Sequence, residues 1–234
     1  MSTFLQLCQR FHRDTGITGS EMSSVANQVG MNKKIVNWIS DSDNEIQNLW
    51  QDWKFLRVDG QVISIVSGTS SYSLATLAIT NLVRWDPEHF HINPGTANYA
   101  PLSEMKYSDW LNSAARLGTA VSAQPSRFVI KPDNSLVFID QPNANYTVWG
   151  SYFKSITKMT ANADTSNIPA PYEDIIIYRA QIKYAIYYED DDLYNQATND
   201  YNMALMKLEA AELPEQHIRT TSANVGDDVR IVVE

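Results

Sequence analysis

Cysteine is nearly absent from this 234-residue chain, and positive charge is scarce. The single cysteine, Cys8, excludes an intrachain disulfide and any CxxC metal site, and its place on an apolar helix face predicts a small buried hydrophobe. A reducing compartment is compatible with this. Lys and Arg number 18 against 27 Asp and Glu, giving a net charge of -9 and a pI near 4.9. This argues against tight wrapping of nucleic acid, because affinity for phosphates comes mainly from basic side chains, though an acidic protein can still stand beside DNA without gripping it. Lys33-Lys34 is the only adjacent basic pair, and no basic and aromatic strip of the sort that binds single strands occurs. Long apolar runs are missing too. Phe4 to Arg10 is interrupted by polar residues, unlike a signal peptide, and no apolar stretch approaches membrane-spanning length, so the expectation is a chain made and folded in a cytosol without membrane contact.

Catalytic patterns are absent as well. No GxSxG, HExxH, P-loop or GxGxxG occurs, and four scattered His offer no evident nucleophile and base pairing, so no catalytic residue and no cofactor is expected. Two constellations come nearest to chemistry. His89-Phe90-His91 places both imidazoles on one side of a strand with Asp86 and Glu88 close in sequence, a weak metal candidate. It lacks a third ligand, since His12 and His217 lie in segments with no route to it. Glu189 to Asp192 offers carboxylates for a hard cation or for acid and base work, but consecutive helix residues diverge, which favours a solvated junction with Asp191 or Asp192 as helix cap.

What is present is an ordinary globular composition, 44% hydrophobic and 11% aromatic, with six Trp and twelve Tyr. It fits one domain, or one core carrying a smaller inserted lobe. Thr3-x-x-Gln6 reads as a capping box for a helix that runs to about Asp14, with Phe4, Leu7, Cys8 and Phe11 on one face. From Asn32 a longer helix is predicted, lined by Ile35, Trp38, Ile39, Ile46, Leu49, Trp50, Trp53 and Leu56; at this spacing its tryptophans read as core, not as a ligand cage.

After Asp59 the period changes to two. Val62 to Val66, a turn at Gly68, then Tyr72 and Leu74 predict a hairpin, and Leu82 to Trp85 a further strand. Ser103 to Arg116 reads as helix, with Met105, Trp110, Leu111 and Ala114 as its apolar contacts. Phe128 to Ile130, the turn Pro132-Asp133-Asn134, and Leu136 to Ile139 form the best hairpin, with Tyr146 to Phe153 as a third antiparallel strand.

Ile168-Pro169-Ala170-Pro171 delays the next helix to Pro171, after which Ile175, Tyr178, Ile182 and Ala185 form a seam. A second seam, Leu193, Ala197, Tyr201, Ala204, Leu205 and Leu208, ends at Pro214 and completes a helical hairpin. The fold class is α+β: a trunk of N- and C-terminal helices (residues 1–58 and 168–213), an inserted antiparallel β-rich lobe with one helix (59–155), and an extended C-terminal tail (214–234). That tail is too poor in large apolar residues for a core of its own, yet Val229-Arg230-Ile231-Val232-Val233 has strong strand propensity. It is either a frayed terminus or a segment that orders on a neighbour by strand addition.

Phe4 to Arg10 with Thr15 to Gly19, Ile35 to Ile39 and Ile46 to Leu56 resemble the opening of head-to-tail adaptor (connector) proteins of short-tailed bacteriophages. Ile168 to Ile175, Tyr178-Arg179-Ala180 and Asp191 to Tyr194 are similar to that family's ending. The resemblance implies a structural virion protein of the neck. It would form a ring of about twelve copies that joins the portal protein to a tail or nozzle protein and lets genomic DNA pass without sequence-specific binding. It also implies that the tail reaches the portal, which would assign portal contact to Ile218, Arg219, Val225, Val229, Arg230, Ile231, Val232 and Val233. Two alternatives stand beside it: another neck or tail-completion protein, and a virion-associated hydrolase or glycan-binding module using Asp86 and Glu88.

Overall fold

A computed structural model describes residues 1–93, 95, 99–113 and 121–214. The chain is α+β, and its described residues form one core in the helical trunk and two clusters in the β-rich part. The first is helical. α1 (Phe4–Asp14) opens on the predicted capping box: the Thr3 hydroxyl accepts from the Gln6 N–H, and the Gln6 side chain accepts from the Thr3 N–H. Its face of Phe4, Leu7, Cys8 and Phe11 is buried, and burial pushes the Cys8 thiol up to about 12, so this cysteine is an inert hydrophobe.

α2 (Gly30–Gln47) is shorter than the sequence predicts and begins earlier, after Val29, not at Asn32. It stops because the Asn48 side-chain amide donates back to the Asn44 carbonyl at 2.7 Å. Beyond that stop the three tryptophans part company: Trp53 is fully buried, Trp38 half-buried, and Trp50 47% exposed, so Trp50 is not core. At the other end of the chain, a 3₁₀ turn (Ala170–Tyr172) carries Pro171 and leads into the paired helices α4 (Asp174–Tyr188) and α5 (Asp191–Glu212). The trunk core joins α1 and α2 to Ile175, Ile176, Ile177 and Ala180 of α4 and to Leu208 of α5.

The described residues of the lobe form ten strands in the order β1 (Arg57–Ile65), β2 (Ser71–Tyr72), β3 (Leu82–Asn93), β4 (Ala100–Pro101), β5 (Ser103–Glu104), β6 (Ser122–Ala123), β7 (Arg127–Ile130), β8 (Leu136–Phe138), β9 (Gln141–Pro142) and β10 (Tyr146–Lys154), with the short helix α3 (Tyr107–Leu111) between β5 and β6. One sheet runs β1-β10-β3-β4 and is antiparallel; another runs β2-β8-β7-β5, where β5 and β7 are parallel; β6 and β9 form a small parallel pair. Three expectations need correction. β1 and β2 are not a hairpin, because the Gly68 turn, at φ +80, hands the chain from one sheet to the other. β10 is not the third strand of the β7–β8 hairpin but lies between β1 and β3. Ser103 to Arg116 is not one helix: β5 occupies its start, and Ala114 to Arg116 lie outside the described residues.

The β7–β8 hairpin itself is as expected, with Asn134 in the left-handed region at its turn. Both its faces are covered, Phe128, Leu136 and Phe138 by the other sheet and Val129, Val137 and Ile139 by Met105, Tyr107 and Trp110. That is why its strands read as unbroken apolar runs.

β3 bulges against β10, where Asp86 faces Ser151 and His91 faces Trp149. Pro87 sits in the bulge, the position a sheet tolerates. The bulge turns Phe90 inward over Gly150, where an added Cβ would lie 2.8 Å from the ring, and stacks it on Phe128 at 4.3 Å. Glycine is therefore required at 150 by close approach.

A strap from β10 to the 3₁₀ turn binds lobe to trunk. Phe4 N–H donates to the Asp164 carbonyl at 2.7 Å, Val25 N–H to Asn162 Oδ1 at 2.7 Å, and Ser40 Oγ to the Met159 carbonyl at 2.8 Å. Beneath the strap Asp43 is fully buried, accepting from Ser166 Oγ and from Gln47 Nε2 at 2.8 Å, while Asn167 Nδ2 donates to Gln47 Oε1 at 2.9 Å. Burial raises the Asp43 carboxyl to about 6 against these two bonds. Among the described residues no helix is long and apolar enough to cross a membrane.

Candidate interaction surfaces

The α4–α5 hairpin is built by local rules. Glu189, at φ 55, ends α4, and Asp190 caps α5 by accepting from Leu193 N–H at 3.0 Å. The cap is thus Asp190 and not Asp191 or Asp192, which instead lie in the first turn where the helix dipole favours acids. The acidic run is a helix junction.

On its inner side the hairpin is tied to α2: Glu45 pairs with Arg179 at 3.0 Å and Lys183 at 2.7 Å. Near the α4 end, Trp38 contacts Tyr184 and Tyr187 with ring centres 5.9 and 5.8 Å apart, and the Lys34 ammonium stands 3.3 Å above the Tyr187 ring. These rings cover the α2–α4 seam yet leave Tyr187 and Tyr188 each 51% exposed, beside Ile186 at 63%.

α5 is sparsely buried, with only Ala197 and Leu208 enclosed, while Tyr201, Ala204 and Leu205 are partly covered by the trunk core. From Tyr194 to Met206 its exposed positions are Tyr194, Asn195, Gln196, Asn199, Asn202, Met203 and Met206. None is charged. A solvated helix face ordinarily carries ion pairs at i,i+4, whereas neutral amides and methionines match a face that meets another protein. Beside it lies a half-open cleft of about 170 Å³ between Pro171, Tyr172 and Tyr178 and Asp200, Met203 and Lys207. Sequence periodicity pointed to the inner seam and passed over this face, although Leu193 to Met206 holds a single charged residue, Asp200.

The metal candidates do not converge. His89 Nδ1 lies 3.1 Å from Asp86 Oδ2, an oxygen that also receives Arg57 Nη2 at 3.3 Å. His91 stands beside Trp149 and Pro101 in the sheet register, exposed on the same side of β3 as His89, with Phe90 and Ile92 buried on the other. Among the described residues no three His, Cys, Asp or Glu are grouped to hold a metal. Asp86 is committed to Arg57 and His89, and Glu88 is exposed. The tail residues Ile218, Arg219, Val225, Val229, Arg230, Ile231, Val232 and Val233, and His217, lie outside the described residues.

Residues 2–227, nearly the whole chain, match the family described as SU10 adaptor protein. The chain belongs to that family. It is a bacteriophage adaptor, a structural protein of the virion neck and of tail assembly. No curated protein matches it. For an adaptor, the uncharged face of α5 and the exposed Ile186, Tyr187 and Tyr188 take on meaning as candidate surfaces of assembly.

Proposed function

We propose that this adaptor is a non-enzymatic ring, of about twelve copies by symmetry of its kind, that joins the portal to a tail or nozzle protein. The observation that carries the reading is the family match across residues 2–227. The outer face of the α4–α5 hairpin supports it, since Tyr188, Met203 and Met206 offer a neighbouring subunit an apolar, uncharged surface. In this reading the helical trunk forms the ring wall and the β-rich lobe faces outward or towards the tail. A net charge of -9 suits a lumen through which genomic DNA slides without sequence-specific binding. Assembly takes place in the host cytoplasm. The C-terminal tail makes the portal contact, through Ile218, Arg219, Val225, Val229, Arg230, Ile231, Val232 and Val233.

Native mass spectrometry of the adaptor with purified portal tests this directly. A ring on the portal is expected, and absence of any complex at every concentration tried would sink the reading. Deleting Val225 to Glu234 is expected to weaken portal attachment while the circular dichroism spectrum stays unchanged. A truncated chain that binds as well as the full one would move the contact elsewhere.

A further inference from the structure

Sheet ends in the lobe are short with one exception. β4, β2 and β5 close their sheets with two residues each, and β6 and β9 are also two residues long. Such short ends deny a foreign strand a template. β1, at the remaining end, runs nine residues from Arg57 to Ile65. A register shift between Val58 and Gln61 disrupts its base, but from Gln61 to Ile65 the pairing with β10 is regular and, among the described residues, no strand pairs with its far side.

The hydrogen bonds show which groups face that open side. The Val62 carbonyl accepts from the Gln61 side-chain amide at 3.3 Å, and the Val66 N–H donates to the Tyr72 hydroxyl at 2.7 Å. Both are side-chain substitutes for a missing strand. Main-chain groups alternate along an antiparallel ladder, so Ser64, between them, also presents its N–H and C=O outward, while Ile63 and Ile65 pair with β10. Val62 and Val66 are each 54% exposed along this edge.

The chain's own tail is launched from the foot of the same strand. In the last turns of α5, Glu209 Oε1 accepts from Trp50 Nε1 at 2.9 Å and the Ala211 carbonyl accepts from Lys54 Nζ at 3.1 Å. Lys54 opens the 3₁₀ turn that runs straight into Arg57, the first residue of β1. The residues between Pro214 and Val229 span up to about 50 Å when extended, against about 27 Å for the length of β1. Val229 to Val233, four β-branched residues around one arginine, is the strand-prone part of that tail.

We propose that Val229–Val233 of the same chain docks as an added strand on the open edge of β1. The edge supplies main-chain bonds at Val62 and Ser64, and the exposed Val62 and Val66 supply apolar contact. The adaptor then carries its tail stowed on its own lobe. A portal that takes the tail must compete with β1 for it. The docking itself is independent of the portal and holds whether or not the portal reading stands.

Amide hydrogen exchange on the full chain and on a chain lacking residues 225–234, without portal, tests it. The Val62 and Ser64 amides are expected to exchange about tenfold or more slowly in the full chain, with Ile63 and Ile65 unchanged. In Ser64→Pro, which removes the outward donor but none directed at β10, the Val229–Val233 amides are expected to lose their protection. Equal exchange of Val62 and Ser64 in full and shortened chains overturns the proposal. So does slowing that grows with protein concentration, which would give the edge to a second copy. If Ser64→Pro disturbs Ile63 and Ile65, the shortened chain alone decides.

Discussion

Trunk and lobe both bury large aromatic and aliphatic side chains, but they gather them over different distances along the chain. In the trunk, Phe4, Leu7, Cys8 and Phe11 reach the core from one helix face, and Ile175, Ile176, Ile177 and Ala180 from one turn and a half of another. In the lobe, Phe90 of β3 meets Phe128 of β7 at 4.3 Å and Trp85 at 5.5 Å, and Tyr152 of β10 meets Trp85 at 5.8 Å. Helical cores collect residues that are neighbours in sequence, whereas sheet cores collect residues brought together only by strand order. The trunk is therefore the part whose faces a sequence displays, and the lobe the part whose partners it conceals.

The largest effect should come from emptying either core. Phe128→Ala in the lobe and Ile39→Ala in the trunk, both fully buried, are each expected to cost about 2–5 kcal/mol. Hydrogen exchange should rise in the mutated region first, with the other region retaining its protection. Uniform loss of protection from either substitution would break the distinction and show a single cooperative unit.

Beneath the strap, Asp43 gives the trunk a pH dependence of its own. Its folded carboxyl titrates at about 6, above the ordinary 3.8, so the folded state holds the proton more tightly than the unfolded one. This stabilisation is full below pH 3.8 and is lost as pH rises through about 6. The difference is on the order of 3 kcal/mol. Urea midpoints measured across this window should fall less steeply with rising pH in Asp43→Asn than in the parent. Identical pH profiles would show that the fold leaves the Asp43 carboxyl at its ordinary value.

A smaller and more local effect is expected from Gly150→Ala, at about 1–3 kcal/mol. The new methyl meets the Phe90 ring, and either the ring or β10 must shift. Tryptophan fluorescence should report it through Trp85, which contacts Phe90 at 5.5 Å. A neutral substitution would mean that the β3 bulge yields easily, and that the two sheets are joined less rigidly than the trunk helices.

Much of the trunk was legible. The reciprocal bonds of Thr3 and Gln6 span only three residues, so the motif and the structure coincide. Pro171 and the seam Ile175, Ile182 and Ala185 follow from the helix period in the same way. What failed there failed at ends: apolar residues at 46, 49, 50 and 53 continue a helical period, but the chain turns at Asn48, burying Trp53 and sending Trp50 to Glu209. The Glu189–Asp190 boundary was misplaced by a residue or two because several consecutive acids are all acceptable caps.

In the lobe the longer strands were legible, the two-residue strands β4, β5, β6 and β9 were not, and the pairing of the longer ones was hidden, since strand propensity belongs to a residue and pairing belongs to two sheet faces. The candidate surfaces divide similarly. The tail was visible as a segment short of a core, and the neutral face of α5 was present in the letters from Leu193 to Met206. Neither the exposure of that face nor the open edge of β1 could be read, because both depend on what does not pack against them.

By itself, then, the sequence determined the buried faces of the terminal helices, the Thr3–Gln6 capping box and the β7–β8 hairpin, all of which rest on residues a few positions apart. Only the tertiary structure decided that β10 separates β1 from β3, that Phe90 crosses Gly150 to reach Phe128, and that Asp43 is sealed under Ser166. These are contacts between distant segments, fixed by which faces must be buried together, and no local preference encodes them.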